Sequence, residues 1–184
     1  MSQMQYFYDD VVRMLGKNKW RIIILFLSRI FAGVFWYRVD RGLFLLLGNN
    51  YKFFRILLSP VFYLVQAYSN IDIHYESDIG PGLLILHSSG GIVISGNARI
   101  GKNLTLSGGN IIGLNKNSTS TEFRIGDGCY LGANACIIGP LVLGDRADIG
   151  ACACVVKSFL EDNLTLVGVP ARVLINEIHE GKEG

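Results

Sequence analysis

Two histidines and an aspartate whose side chains could move protons lie within one short stretch, IDIHYESDIGPGLLILHSSGG, at residues 71–91. A neutral imidazole has an ordinary pKa near 6.5 and can accept a proton from a hydroxyl when another group holds the ring in place. His87 follows the apolar run LLIL, and Asp72 lies fifteen residues before it. In a repeat of about eighteen residues per coil, Asp72 would return to nearly the same corner as His87. The residues alone leave two interpretations open, a catalytic base and a structural corner histidine.

The elements that would position this stretch are hexapeptide repeats. Aliphatic residues recur at a spacing of six with two interruptions, and glycine often follows them; they are Ile73, Ile79, Ile85, Ile94, Ile100, Leu106, Ile112, Ile125, Leu131, Ile137, Leu143, Ile149 and Val155. A helix repeats every 3.6 residues and a single strand every second residue, so neither produces this pattern. A parallel β-helix does, because each short strand contributes one inward aliphatic side chain and each corner needs small residues.

The pattern of an aliphatic residue, glycine and a small residue resembles the hexapeptide-repeat acyltransferases over residues 71–175. The resemblance implies a mainly β fold, a left-handed parallel β-helix with an N-terminal α-helical segment. DIHYESDIGPGLLILHSSGGIVI and the later LVGVPARVL are similar to segments of the bacterial serine O-acetyltransferases.

By this resemblance, His87 is the general base, Asp72 orients its ring, and an acceptor hydroxyl attacks acetyl-CoA directly. The same resemblance places contacts to acetyl-CoA near three corner positions, with two basic residues available for its phosphates; the five residues are Gly113, Ala133, Ala151, Lys157 and Arg172. It also implies a homotrimer in which two chains share each active site.

The sequence departs from this family around the predicted acceptor site. Leu86 occupies the position of the aspartate that recognises the serine ammonium, and KNSTSTEF at 116–123 replaces the segment whose arginine and histidine face serine. The HSSGG corner is one residue longer, and we expect Leu86, Ser88 and Ser89 to contact the acceptor. An unpaired ammonium costs about 1.5–3 kcal/mol or more. We therefore predict a sugar or glycan acceptor, including a lipid-linked one, in a capsule, exopolysaccharide or lipopolysaccharide pathway.

Three alternatives to this function stay open. The first is a serine O-acetyltransferase of cysteine biosynthesis, and the second is a catalytically silent β-helix scaffold. The third, a metal-dependent hydratase, needs histidines from several coils, whereas only His74 and His87 lie within the repeats. No metal and no nucleic-acid partner are expected.

Residues 1–70 have a different composition, with long apolar runs and a net charge of +6 from nine Lys or Arg and three Asp. In the resembling family, a long helical domain occupies this place. Basic, aromatic-rich helices are typical of a membrane interface, so peripheral contact with the inner face of the cytoplasmic membrane is one interpretation. Packing of these helices on each other or on a second subunit is the other. Gly48 and Pro60 are predicted to separate helices.

The remaining features predict a cytoplasmic location. The first residues lack the pattern of a cleavable signal peptide. Four cysteines at repeat positions that suit small residues are interpreted as buried free thiols; they are Cys129, Cys136, Cys152 and Cys154. Residues 176–184 are predicted to form a polar C-terminal tail.

Overall fold

A computed structural model describes residues 2–17, 20, 22–115 and 122–174 of the protein. Its first part is helical, and the helices are α1 (Gln3–Leu15), α2 (Ile22–Phe26), α3 (Arg29–Leu47) and α4 (Tyr51–Ser69), with a 3₁₀ turn at Gly48–Asn50 between the last two. Ser2 and Ser28 begin α1 and α3, because their hydroxyls accept hydrogen bonds from backbone N–H groups of the first turn. The predicted C-terminal tail lies outside the described residues.

Within the described residues, fifteen short strands follow: β1 (Ile71–Ile73), β2 (Asp78–Ile79), β3 (Leu84–Ile85), β4 (Ile92–Ile94), β5 (Arg99–Ile100), β6 (Thr105–Leu106), β7 (Ile111–Leu114), β8 (Arg124–Ile125), β9 (Tyr130–Leu131), β10 (Cys136–Gly139), β11 (Val142–Leu143), β12 (Asp148–Ile149), β13 (Cys154–Val155), β14 (Thr165–Val167) and β15 (Arg172–Val173). They form sheet A (β1-β4-β7-β10-β13), sheet B (β2-β5-β8-β11) and sheet C (β3-β6-β9-β12-β14-β15). Neighbours within each sheet are parallel except β14 and β15. The chain therefore winds through sheets A, B and C in turn, which confirms the predicted β-helix preceded by helices.

The aliphatic residue of each hexapeptide points into the β-helix. All thirteen predicted positions are buried, with exposures between 0% and 7%. They stack into one column because each strand lies in register with the equivalent strand of the next coil, as Ile73 does with Ile94 and Ile94 with Ile112. Burial of this column is the main favourable contribution to the stability of the β-helix.

The coils differ in length, and this difference matters for the site. Ile71 lies opposite Ile92, so the first coil takes 21 residues, whereas Cys136 lies opposite Cys154 after 18. The extra residues of the first coil belong to its last corner, which contains the HSSGG sequence. The expectation of eighteen residues per coil is therefore wrong for the coil that carries both Asp72 and His87.

Arginines of the helices close the first end of the β-helix. Arg38 is fully buried; its guanidinium pairs with Asp10 at 2.8 Å and donates to the carbonyl oxygens of Ile79 at 2.6 Å and Gly80 at 2.8 Å. Asp10 in turn accepts a hydrogen bond from the N–H of Leu83 at 2.7 Å. Because no earlier coil lies below this one, its polar backbone groups need partners from elsewhere, and the helices supply them.

Two other arginines make similar contacts. Arg13 of α1 donates to the carbonyl oxygens of Gly82 and Leu104, and Arg41 of α3 donates to that of Glu76. The helix α3 also comes very close to β1, because a Cβ on Gly33 would lie 2.7 Å from the side chain of Ile71. The helices thus pack on each other and on the β-helix, and the predicted placement of this basic segment against a membrane has no support. Among the helices that the structure describes, none has the length and apolar character needed to cross a bilayer.

Of the two predicted helix breaks, the one at Gly48 is confirmed and the one at Pro60 is wrong. Gly48 ends α3 with a positive φ of 57°, a backbone angle that favours glycine. Pro60 lies inside α4, so the predicted break there is wrong. Proline removes the N–H that a preceding helical carbonyl would accept. The hydroxyl of Ser59 donates instead to the carbonyl oxygen of Ile56 at 2.8 Å, which gives a backbone group of this turn a partner.

The cysteines are free, but only one of them is buried. Cys129 is buried, Cys136 and Cys154 are half-buried, and Cys152 is exposed. Cys136 and Cys154 precede the inward residues Ile137 and Val155, so the alternation of a strand turns them outward. The expectation of four buried thiols is therefore wrong for three of them.

Candidate active site

His87 lies at the corner that joins sheet C to sheet A in the first coil. We name residues 86–91 the first corner. The N–H of Leu86 continues the ladder to Leu106 at 2.9 Å, and the N–H of Gly91 donates to the carbonyl oxygen of Ser88 at 3.0 Å, which closes the turn. Asn70, at the end of α4, donates its side-chain amide to the carbonyl oxygen of Ser89 at 3.0 Å. These hydrogen bonds fix the backbone of the first corner, and the side chain of His87 is exposed.

The next coil passes directly over His87. A Cβ on Gly108 would lie 2.7 Å from the carbonyl oxygen of His87, and Gly108 has φ 133°, so only glycine fits there without strain. Asn110, which is 1% exposed, accepts from the N–H of Gly108 at 2.8 Å and donates to the carbonyl oxygen of Gly132 at 2.7 Å. Asn110 therefore supports the backbone above the candidate base. Sequence reasoning missed it, although an asparagine after two glycines, SGGN, is itself a turn signal.

Asp72 lies in β1, opposite Val93 and on the other side of the first corner from Leu86. Its side chain is exposed, and among the hydrogen bonds and ion pairs that the structure describes, none joins it to His87. The predicted orienting contact thus stays a prediction.

His74 lies close to Asp72 on the same coil. Its Nδ1 accepts a hydrogen bond from the N–H of Glu76 at 3.2 Å, and its ring stacks on Tyr75 with 4.5 Å between centroids. Burial lowers the pKa of His74, while the nearby carboxylates of Glu76 and Asp72 oppose this shift. These contacts give His74 a role in holding the coil, and His87 is the more accessible of the two bases.

Two cavities flank the first corner on opposite sides. On the sheet A side, a shallow open groove of about 400 Å³ lies between α4 and the first strands; its lining includes Tyr63, Gln66, Asn70, Asp72, Gly91 and Val93. On the sheet C side, a cavity of about 360 Å³ is lined mainly by apolar side chains, among them Met14, Leu25, Ile30, Leu84 and Leu86, together with Arg13. His87 lies between the residues of these two cavities along the chain.

The three residues predicted to contact the acceptor differ in their exposure to solvent. Leu86 and Ser89 are exposed at the first corner, whereas Ser88 is only 4% exposed. The extra residue of the corner turns Ser88 inward and Ser89 outward, so Ser88 is not open to an acceptor in this chain. The roles of Leu86 and Ser89 stay predictions. The predicted KNSTSTEF loop lies mostly outside the described residues.

The predicted acetyl-CoA residues are only partly brought together. Ala133 and Ala151 are exposed at the same kind of corner as His87, two and three coils further on, and the carbonyl oxygen of Ala133 accepts from the N–H of Cys152 at 2.8 Å. Small residues are required here by coil stacking, since a Cβ on Gly132 would lie 2.6 Å from the nitrogen of Ala151. Small residues therefore follow one another at the equivalent corners of the coils above His87.

The other three predicted donor contacts lie elsewhere. Gly113 is in β7 on sheet A, where it pairs with Ile138. Lys157 is exposed after β13, with its ammonium 5.2 Å above the ring of Phe159, and Arg172 is exposed in β15. None of the five contacts to acetyl-CoA is tested by the structure, so they stay predictions. Among the described residues, no group of three or more His, Cys, Asp or Glu is placed to hold a metal ion.

Comparison with known proteins identifies relatives with this architecture. A serine acetyltransferase of Helicobacter pylori strain J99 is 28% identical over 163 residues, which cover 88% of this chain and 90% of the relative. The serine acetyltransferase of Mycobacterium tuberculosis is 31% identical over 126 residues, 65% of this chain and 52% of the relative. The structure of Neisseria gonorrhoeae serine acetyltransferase superposes with a TM-score of 0.79, 25% identity and coverage of 94% of this chain and 66% of that chain. The chain is similar to the serine acetyltransferases in sequence and in fold.

This similarity confirms the resemblance to hexapeptide-repeat acetyltransferases. The similarity extends into the helices, since the Neisseria structure covers 94% of this chain, while this chain covers 66% of that structure. The chain spans one third of the length of the Arabidopsis chloroplast relative, which is 39% identical over 105 residues, and about half of the Mycobacterium relative. No family model matches the chain.

Proposed function

We propose that this protein transfers an acetyl group from acetyl-CoA to the hydroxyl of a small acceptor, with His87 as general base. The observation that carries the proposal is the position of His87, exposed at a corner between two cavities and below a path of small-residue corners. The similarity to serine acetyltransferases supports acetyl transfer and makes serine the first acceptor to consider.

In the proposed reaction, a ring nitrogen of His87 accepts the proton of the acceptor hydroxyl as the oxygen attacks the thioester carbonyl carbon. The bond from that carbon to sulfur then breaks, and the proton on His87 passes to the departing thiolate. The products are the acetyl ester and free CoA, and His87 returns to its neutral form. The close approach of Gly108, which Asn110 supports, would fix the backbone that carries His87 during both proton transfers.

A sugar acceptor is the second candidate, and one observation favours it. Leu86 is 42% exposed beside His87, and by the resemblance drawn from the sequence it stands where serine acetyltransferases carry the carboxylate for the serine ammonium. A leucine offers no partner to a charged group. The comparisons, by contrast, favour serine and give no support to a polysaccharide pathway.

The test is CoA release from acetyl-CoA, measured with a thiol reagent, with serine and methyl glucoside as separate acceptors. His87→Ala is expected to lower kcat by about 10²–10⁴-fold, because general-base catalysis contributes about that much. Lys102→Ala, an exposed change at another corner, is the control and should retain the activity of the unchanged protein. If His87→Ala retains full activity with a native unfolding curve, His87 is not the base.

Which acceptor is used follows from the same assay. Turnover with serine alone supports the first candidate, and turnover with methyl glucoside alone supports the second. The predicted homotrimer and location stay predictions, and sedimentation velocity on the purified protein would measure the first of them.

A further inference from the structure

We infer that Cys136 and Cys154 form a site of reversible thiol oxidation, in which a disulfide links two neighbouring coils of the β-helix. Both residues lie away from the first corner, so the inference does not depend on the proposed acetyl transfer. The reactant is a small-molecule disulfide, the chemical class to which oxidised glutathione belongs. The bond would join two strands that the fold already holds side by side.

The register of sheet A brings the two cysteines together. Cys136 of β10 lies directly opposite Cys154 of β13. The ladder fixes both backbones, because the N–H of Cys136 donates to the carbonyl oxygen of Ala153 at 2.8 Å and that of Cys154 to Gly168 at 2.9 Å. Adjacent strands lie about 4.7–4.9 Å apart, which is within the Cα separation of about 4.4–6.8 Å found in disulfides. The two thiols can therefore bond without a rearrangement of the fold.

The position that the pair occupies does not require small residues. Five side chains form one outward row along sheet A, namely Asp72, Val93, Ile111, Cys136 and Cys154. Val93 and Ile111 are 44% and 41% exposed, and both cysteines are half-buried. A carboxylate, a valine and an isoleucine all fit this position, so coil stacking does not explain a cysteine by its size. What the last two members of the row share is a thiol that solvent can reach.

The other two cysteines differ from this pair. Cys129 is 0% exposed, so a reagent in solution does not reach it in the folded protein. Cys152 is exposed at the corner before β13 and is therefore not in register with Cys136. Burial raises the pKa of Cys136, and the nearby thiols of Cys154 and Cys152 add to this rise. Cys152 thus lies close to the pair without facing either member across the ladder, which makes it a suitable control.

The oxidation is a thiol–disulfide exchange in two steps. The thiolate of Cys154 attacks one sulfur of the small disulfide, forms a mixed disulfide and releases the first small thiol. The thiolate of Cys136 then attacks the sulfur of Cys154, and the second small thiol departs. Cys136 reacts second because its raised pKa disfavours the thiolate until the mixed disulfide lies beside it. Two protein thiols are oxidised, one small disulfide is reduced, and the two protons pass to the departing thiolates.

The link is expected to be reversible. Side chains in register on parallel strands leave the sheet in the same direction, so their Cβ atoms stay nearly as far apart as the strands. A disulfide prefers a Cβ separation of about 3.5–4.5 Å, and closing the remaining gap strains the bond. The backbone of Cys154 resists the movement, because its carbonyl oxygen also accepts from the N–H of Ala171 at 2.8 Å. Strained disulfides are reduced more readily than structural ones, and labile disulfides serve as redox sensors in reducing compartments.

The experiment locates the bond by mass spectrometry. The full-length protein is incubated with oxidised glutathione, free thiols are blocked with iodoacetamide, and the protein is digested with trypsin. Cleavage after lysine and arginine places Cys136 in the peptide 125–146 and Cys154 in the peptide 147–157. We expect these two peptides to be linked, with fragment spectra that place the bond at Cys136 and Cys154. If the peptides carry only glutathione and no link, the inference is overturned.

Serine substitutions give a second readout. The link should be absent in Cys136→Ser and in Cys154→Ser and should persist in Cys152→Ser, the matched control, which removes the more exposed thiol. A link that persists in either of the first two variants, or that is lost in the control, would show that another pair forms it. The fragment spectra of the unchanged protein need no substitution, so the test does not depend on whether each variant folds.

Two further measurements complete the test. Excess reduced glutathione should cleave the link and restore both thiols, whereas a link that survives this treatment would be a structural bond and would overturn the reversible site. The same oxidation in His87→Ala should give the same link. A failure of the proposed acetyl transfer therefore leaves this inference standing, and a failure to form the link leaves the proposed function untouched.

Discussion

The buried pair between Arg38 and Asp10 gives the sharpest prediction about stability. Arg38→Met keeps much of the length of the side chain and removes its charge. The native guanidinium reaches both carboxylate oxygens of Asp10, at 2.8 and 3.1 Å, and the carbonyl oxygens of Ile79 and Gly80. Both members of the pair are 0% exposed, so water cannot replace what the substitution removes.

The expected loss of unfolding free energy is about 3–5 kcal/mol, the usual cost of removing one partner from a buried ion pair. Burial raises the pKa of Asp10, and the hydrogen bond and charge of Arg38 are the largest effects that oppose the shift. The variant therefore leaves a carboxylate that must either stay charged without a partner or take up a proton. Since single domains have total stabilities of about 5–15 kcal/mol, the loss would be a large fraction of the whole.

Urea unfolding followed by circular dichroism measures this loss, provided that the slope with urea is unchanged. Arg146→Met is the matched control, because Arg146 pairs with Asp162 at 3.1 Å on the surface with both side chains about half exposed. We expect that control to lose about 0–1 kcal/mol. The double variant Asp10→Asn with Arg38→Met should recover part of the loss, because it removes the unpaired charge.

A loss in Arg38→Met that is no larger than the loss in Arg146→Met would refute the reasoning. It would mean that the helices do not close the first coil through this pair. A double variant that is less stable than Arg38→Met alone would refute the more specific claim that the unpaired carboxylate is the main cost.

Two further predictions concern the pH dependence of stability and the corner above the base. Burial raises the pKa of Asp40 to about 6, against the opposing charge of Arg55, so its stabilising contribution is present below about pH 4 and is lost as the pH rises through 6. Relative to Asp40→Asn, the unchanged protein should lose up to about 3 kcal/mol of unfolding free energy between pH 4 and 7, measured by urea unfolding; parallel curves would contradict this. Gly108→Ala should lower the melting temperature, because the new Cβ would lie 2.7 Å from a backbone oxygen at φ 133°, while Gly113→Ala, with 3.6 Å to its nearest neighbour, is the control. Equal melting temperatures for these two variants would show that the corner can adjust.

The core of the β-helix could be predicted from the sequence because a period of six has few other structural explanations. Ile79, Leu106 and Ile149 are each 0% exposed at predicted positions. The same period could not give the length of each corner. HSSGG adds residues between two regular hexapeptides, and Ser88 within it is buried. Contacts that depend on an irregular corner cannot be predicted from the repeat alone.

The partners of the basic helices also lay beyond sequence reasoning. A stretch with Arg13, Arg38 and Arg41 among apolar residues has the composition of a membrane-surface helix. A stretch whose arginines bind backbone carbonyls at the end of a β-helix has the same composition. Every residue carries a backbone carbonyl, so the sequence does not show which of them accept these hydrogen bonds. Pro60 is a related case, since its helix-breaking tendency is offset by Ser59, one residue away.

The two ends of the β-helix bear on its behaviour at high concentration. A stack of parallel strands presents open rows of N–H and C=O groups at both ends, and such rows can recruit further chains into fibres. Here the helices cover one end, and at the other end β15 turns antiparallel onto β14 while the segment at 168–171 bonds with Cys154. The stack therefore has a fixed length set by its own chain. A truncation that removes either closure would expose an open row of backbone groups, which is a template for end-to-end growth.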